Sequence, residues 1–338
     1  MQASYDAVLV VSFGGPEGPD EVLPFLENVL RGKPVPRERM LEVAEHYYRL
    51  GGVSPINEQN RRLVAALQQR LDACGPRLPV YWGNRNWRPL LPDALAQMAR
   101  DGVRRALGFF TSAYSSYSSC RQYRENIAAA RQQVGPAAPQ VDKLRAFFNH
   151  PGFIEPMVES LRSCQAKLPG DQRNRAVVLF SAHSIPLAMA TACAYQAQLQ
   201  EASRLVAEGA GAAQWELVYQ SRSGPPQQPW LEPDVCRRIE ELHAAGRLPH
   251  LVIVPIGFIS DHLEVLYDLD IEAAAVCQKL GVPMQRAATV GDHRRFIEMI
   301  RELIVERLSE APQRSALGQL GPSHDICPDD CCLYEPRL

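Results

Sequence analysis

The feature that most constrains this chain is an alternation of short apolar runs with longer helical patterns. Runs at 7–12 (AVLVVS), 78–82 (LPVYW) and 105–111 (RALGFFT) are each followed by a polar or glycine-rich break and then a helical stretch. The second half repeats the scheme at 176–180 (AVVLF), 216–220 (ELVYQ) and 251–256 (LVIVPI). Continuous apolar runs of this length mark strands buried on both faces of a parallel sheet. Amphipathic stretches such as 59–71 and 154–168 supply the crossovers. The halves also echo each other in order: AVLVVSFGG with AVVLFSAHS, VYWGNRNW with VYQSRSGP, and ALGFFTSAYSS with LVIVPIGFISDH. The expected architecture is α/β, with two Rossmann-like, doubly wound domains and a cleft at the carboxyl ends of their parallel strands, where open α/β sheets place ligands. The domains are expected at 1–150 and 151–312, followed by a tail at 313–338 whose first part is rich in Gly, Pro and Ser.

Charge narrows the partners. A net charge of −2 over 338 residues gives no global attraction to nucleic acid or anionic lipid. No apolar stretch approaches the roughly 18 residues that span a bilayer. The first residues lack a basic n-region and run directly into a strand pattern, so no signal peptide is expected and the cytoplasm is the expected compartment. Nine cysteines in a reducing compartment do not read as a disulfide framework. Six are scattered singly; the other three crowd the last twelve residues.

Two segments carry candidate chemistry. His183 lies in SAHSIP, just past a strand, where a neutral imidazole serves as base or metal ligand; a hydrogen-bonded loop histidine is the alternative. In PIGFISDHLEVLYDLDIEA (255–273), Gly257 permits a turn and Ser260 or Asp261 is expected to cap a helix. Glu264, Asp268 and Glu272 then fall at i, i+4 and i+8 and form one acidic line. Leu263, Leu266, Tyr267, Leu269 and Ile271 make the rest of that helix apolar. Carboxylates on a largely buried helix are costly unless paired or facing a metal, and oxygen ligands in a row suit a divalent cation. A solvated acidic face is the competing reading.

Seven blocks carry a resemblance: SFGGP (12–16), GGVSPIN (51–57), GNRNW (83–87), TSAYSSYSSCRQY (111–123), FSAHSIP (180–186), QSRSGPPQQPWLEP (220–233) and PIGFISDHLEVLYDLDIE (255–272). Their order and content resemble the ferrochelatase family from about residue 5 to 312, with actinobacterial-type coproporphyrin ferrochelatases the nearest in kind. The resemblance implies a chelatase-like fold. It implies insertion of Fe²⁺, as substrate, into coproporphyrin III to give coproheme in heme biosynthesis, with protoporphyrin IX as the alternative substrate. A non-catalytic tetrapyrrole-binding or iron–sulfur-sensing protein, and a chelatase using cobalt or nickel, are rival readings. By this resemblance His183 and Glu264 face each other at the porphyrin centre, with Asp268 and Glu272 behind as further metal-handling carboxylates. Ser54 and Tyr123 match positions that bind the porphyrin periphery. Phe13 stands where some relatives carry an iron-ligating tyrosine, so axial ligation from that position is excluded. Phe13, Trp87, Trp230 and Phe258 are candidate cleft walls or ordinary core. Arg31, Lys33, Arg37 and Arg39 form a basic cluster suited to propionates, or a solvated loop. Transient contact with other heme-pathway enzymes is a further expectation.

Cys327, Cys331 and Cys332 lie in a polar tail where packing does not account for them, so metal ligation is the better reading. The tail resembles those that hold a [2Fe–2S] cluster with three tail cysteines and one internal cysteine. Cys120 is the favoured internal partner, with Cys193 and then Cys164 as alternatives. Zinc would use the same thiolates. Cys74, Cys236 and Cys277 are expected to pack as small apolar residues.

Overall fold

The computed structural model describes residues 4–33, 35–170, 173–225 and 227–334. The chain divides into two compact units. The first comprises Met1–Thr111, Gln122–Leu144 and Ile300–Gln313; the second comprises Ser112–Arg121, Arg145–Met299 and Arg314–Leu338. Neither is one continuous stretch.

Each unit is built on a four-stranded parallel sheet. In the first, β1 (Ala7–Ser12), β2 (Val80–Asn84), β3 (Arg105–Phe110) and β4 (Gln140–Lys143) lie in the order β2-β1-β3-β4. In the second, β5 (Val177–His183), β6 (Gln214–Gln220), β7 (Leu251–Val254) and β8 (Met284–Arg286) lie in the order β6-β5-β7-β8. The two orders are the same, so the echo in sequence corresponds to a repeated topology, and the chain holds two Rossmann-like α/β units. The apolar runs marked the central strands because these are covered on both faces: every residue of β1 and of β7 is buried. The edge strands β4 and β8 carried no such signal. Both are short and only partly covered.

The order β6-β5-β7 places a topological switch point between β5 and β7, because the chain leaves β5 toward one side and returns to the other. Functional segments leave this end of the second sheet. His183 is the last residue of β5 and pairs in register with Gln220, the last of β6. The loop after β7 folds back on β5, with the Gly257 amide donating to the Ser181 carbonyl at 3.0 Å. A β-carbon on Gly257 would lie 2.7 Å from the Ala182 Cα, so glycine is required by close backbone approach rather than by an unusual φ.

The helix that follows differs from the expected one. It starts at Leu263 with His262 in the N-cap position and no side-chain cap, while Asp261 pairs instead with Arg286 at 2.7 Å. From Leu266 to Ala273 the winding is π rather than α, and an α-helix resumes at Ala274. A π-turn closes hydrogen bonds from i to i+5, so four residues fall short of a full turn rather than overshooting it. Glu264 and Asp268 stay on one side, as α-winding would also leave them, whereas Glu272 emerges exposed. No helix among the described residues is long and apolar enough to cross a membrane.

The tail has no regular secondary structure but is held along the second unit. Arg145 donates to the Ser315 carbonyl, Asn149 to those of Leu317 and Gly321, and Glu201 accepts from the Gln319 amide.

Gly257→Ala is expected to cost about 1–3 kcal/mol, the range for overpacking a close contact. Gly18→Ala, whose β-carbon meets nothing within 4 Å, is expected to stay within about 0.5 kcal/mol of the parent. Urea unfolding of both variants checks the difference.

Candidate functional site

His183 and Glu264 come together in the second unit. The Nδ1 of His183 lies 2.7 Å from Oε1 of Glu264. About a third of each side chain still meets solvent, 36% and 31% respectively. Two further groups hold the backbone at these residues. The Tyr195 hydroxyl donates to the His183 carbonyl at 3.0 Å, and Gln220 Nε2 reaches the Glu264 carbonyl at 3.4 Å.

Asp268 sits behind Glu264. Its Oδ2 accepts from Gln220 Nε2 at 3.1 Å and from the Ser221 hydroxyl, which also acts to lower the Glu264 pKa. Ser221 holds a positive φ of 61°, an uncommon conformation for a residue with a side chain, at the point where its hydroxyl meets both carboxylates. The expected acidic line is therefore a bridged pair, Glu264 and Asp268, with Glu272 outside it acting on Asp268 through charge.

The electrostatics separate these groups. Burial would lower the His183 pKa, but the charge and hydrogen bond of Glu264, with help from Asp268, raise it above the ordinary imidazole range. Burial would raise Glu264; the His183 and His262 imidazoles and the Ser221 hydroxyl outweigh it and hold the carboxyl well below the usual range. Asp268 has no such cation. Burial, the Glu264 charge and then Glu272 push it up to about 7. Glu264 therefore stays a carboxylate, while Asp268 exchanges protons near neutrality.

Three participants were not singled out in the sequence. His262 lies 4.0 Å from Glu264 Oε2 and 5.1 Å, ring to ring, from Phe258; burial lowers its pKa, against the charge of Glu264. Gln220 and Ser221 are the other two. The dipeptide QS at a strand end and a histidine two residues before the key acid were the available signals, each weak alone.

In the first unit, buried polar side chains tie three of the recognised loops together. Asn60 donates to the Ser12 hydroxyl, Asn57 to the Gly15 carbonyl and Asn84 to Asn57. Ser54 is buried against Gly15, and its amide donates to the Pro16 carbonyl. Tyr123 is buried in the core, stacked with Phe110 at 5.2 Å, and the Arg85 guanidinium covers its ring at 4.5 Å. The same guanidinium lies 5.8 Å from the Phe13 ring. Phe13 and Trp87 pack in turn against Phe25. Arg31 is exposed, as are Lys33, Arg37 and Arg39, and Arg39 pairs with Glu42. Desolvation and the charge of Arg85 lower the Lys33 pKa, so this basic group would gain from an anion. Arg85, within GNRNW, was not selected from sequence. Trp230 packs in the second unit, its indole NH donating to Gln228.

The cysteines form no disulfide. At the tail, Cys331 and Cys332 have Sγ atoms 3.7 Å apart, and the ligand atoms of His324, Cys327 and Cys331 lie within 4.8 Å of one another. Burial raises the Cys332 thiol, and Cys331, Cys193 and Cys327 raise it further. Cys193 thus belongs to the tail's neighbourhood. Cys164 lies under the influence of Lys167 and Arg286 instead. Cys120 is buried in a π-turn, Tyr117–Arg121. The thiol-rich group fits a metal centre, and His324 was not among the residues expected there.

A raised carboxyl pKa favours folding fully below its unfolded value, and the benefit is lost as pH rises through the folded value. Asp268→Asn is therefore expected to gain stability relative to the parent at pH 8 compared with pH 6. Urea midpoints of the metal-free proteins at the two values check this; a pH-independent difference would contradict it.

The ferrochelatase family model matches residues 5–308. A ferrochelatase of Rhodopirellula baltica is 62% identical over 333 residues, covering 98% of this chain and 95% of that one. A coproporphyrin III ferrochelatase of Streptomyces griseus is 52% identical over 352 residues, covering 98% and 94%. Among solved structures, SirB from Bacillus subtilis with Fe³⁺ has a TM-score of 0.56 at 12% identity, covering 89% of this chain and 96% of that chain; it speaks for the fold alone. A repeated parallel-sheet topology, the matched segments and relatives of this similarity along nearly the whole length lead to one conclusion: the chain belongs to the ferrochelatase family, enzymes that insert a metal into a porphyrin.

Proposed function

We propose that the protein inserts Fe²⁺ into coproporphyrin III in the cytoplasm, giving coproheme and releasing two protons. The observation that carries the reaction is the His183–Glu264 pair, with opposite pKa shifts and Asp268 next in line. Metallation must remove two pyrrole protons and replace water on the ion by weaker ligands. With Glu264 ionised, the Nδ1–H of His183 donates to it, and Nε2 remains the basic nitrogen. His183 is thus the proton acceptor, and Glu264 the oxygen ligand that receives the ion. Protons leave by way of Ser221 and Asp268 toward Glu272, and the same carboxylates offer oxygen atoms to the entering metal.

Substrate choice is supported by two lines. The Streptomyces griseus relative carries the name coproporphyrin III ferrochelatase, and the first unit presents Arg31 and Lys33 in an exposed turn and Arg37 and Arg39 on the exposed first turn of the helix Arg37–Arg49. Coproporphyrin has four propionates against two in protoporphyrin IX. In this reading Arg31 and Lys33 pair with propionates, and Phe13, Ser54 and Tyr123 are substrate-binding residues by their match to the family's segments. The tail is read as the seat of a [2Fe–2S] cluster on Cys327, Cys331 and Cys332 with a fourth ligand from nearby. When bound, such a cluster would supply a crosslink of the tail.

His183→Ala is expected to lower kcat at least about a hundredfold, the scale of losing a general base, while porphyrin binding measured by fluorescence quenching persists. Anaerobic turnover with Fe²⁺ is expected to be faster with coproporphyrin III than with protoporphyrin IX. The reverse order would assign the smaller acid as substrate.

A further inference from the structure

We infer that His324 is a ligand of the tail metal centre, which is then held by one imidazole and three thiolates, His324, Cys327, Cys331 and Cys332, all from the tail itself. The inference rests on the reading that the tail binds metal, and it changes the chemistry of that centre.

Distances come first. The Nε2 of His324 lies 3.8 Å from Cys331 Sγ, and the Sγ atoms of Cys331 and Cys332 lie 3.7 Å apart. A tetrahedral ion with metal–sulfur bonds of about 2.3 Å and metal–nitrogen bonds of about 2.0 Å has edges of about 3.8 Å between sulfurs and about 3.5 Å from nitrogen to sulfur. The side chains already stand close to ligand spacing. Cys327 lies within 4.8 Å of both His324 and Cys331, ligand atom to ligand atom.

The backbone is arranged to hold them there. Arg314 donates to the Ser323 carbonyl at 2.9 Å and to Asp325 at 2.8 Å, and so grips both neighbours of His324. Arg121 donates to the carbonyls of Asp329 and Cys331 at 2.7 and 3.0 Å, and so fixes the approach to the cysteine pair. Adjacent residues in extended chain point to opposite sides, which would prevent Cys331 and Cys332 from meeting one ion. Cys332 escapes this with a φ of +56°, a left-handed conformation that costs a residue with a β-carbon free energy. That turn brings the two sulfurs together.

Cys193 is the competitor for the fourth position. Its Sγ donates to the Met189 carbonyl at 3.2 Å and lies 3.6 Å from that of Ala190. A thiolate has no proton to donate, so ligation would forfeit these bonds, whereas a neutral imidazole binds without such a loss. On ligation the three tail thiols release their protons to solvent.

The test uses the full chain purified and, where needed, reconstituted without oxygen, as wild type and as His324→Ala, His324→Cys and Cys193→Ser. Bound iron and zinc are measured by elemental analysis. The ligand set is read by pulsed EPR of the reduced iron protein, or by X-ray absorption of a zinc protein. Wild type is expected to show nitrogen coordination. His324→Ala is expected to lose that signal and several-fold of its metal, His324→Cys to keep metal without the signal, and Cys193→Ser to match wild type. An iron–sulfur protein without nitrogen coordination that loses its cluster in Cys193→Ser would overturn the inference and leave the cluster reading intact. A colourless zinc protein with one nitrogen and three sulfurs would support the inference and overturn the cluster. Wild type that binds no metal at the tail would overturn both.

Discussion

The short contact between His183 and Glu264 requires two separate chain segments to end at one point. An ionised carboxylate and an imidazole, each about two-thirds withdrawn from solvent, lose hydration, and each compensates the other. Their meeting is a consequence of strand order. β5 lies at the centre of its sheet, β7 is its neighbour on the switch-point side, and Gly257 lets the loop after β7 lie against the end of β5. From there Glu264 is delivered in the first turn of a helix, beside the residue that closes β5. Gln220, in register with His183 on the other flank, completes the set.

The same geometry separates the roles of three acids that look alike in sequence. Glu264 has imidazoles beside it and remains charged; Asp268 has only neutral donors and the repulsion of Glu264, and takes up protons near neutrality; Glu272 is outside in solvent. Proton affinity thus differs sharply between two carboxyls one turn apart on one helix.

Much of the fold was legible because central strands of parallel sheets are covered on both faces and read as unbroken apolar runs. The match between halves was legible for the same reason, at β1 and β5 and at β3 and β7. Of the four edge strands, β2 and β6 were read from LPVYW and ELVYQ, but β4 and β8 were not: QVDK and MQR are too short and too polar to differ from loop. The π-turn was also hidden, since the sequence LYDLDIEA satisfies an α-helical pattern and only the surrounding structure selects the wider winding. Of the site, His183 and Glu264 were readable through motif resemblance. Ser221 and Arg85 were missed because each acts through a partner distant in sequence, and His262 and His324, though close to their partners, because a single histidine beside a motif carries no signal of its own.

The central claim is that Glu264 sets the basicity of His183. It is tested most directly by NMR titration of the His183 imidazole in protein labelled at histidine, in wild type and in Glu264→Gln. The account gives a His183 pKa above the ordinary imidazole value in wild type. In the variant, where burial acts with only the weaker charge of Asp268 against it, the pKa falls by a clearly resolved amount. A His183 titration that is the same in both proteins would contradict it.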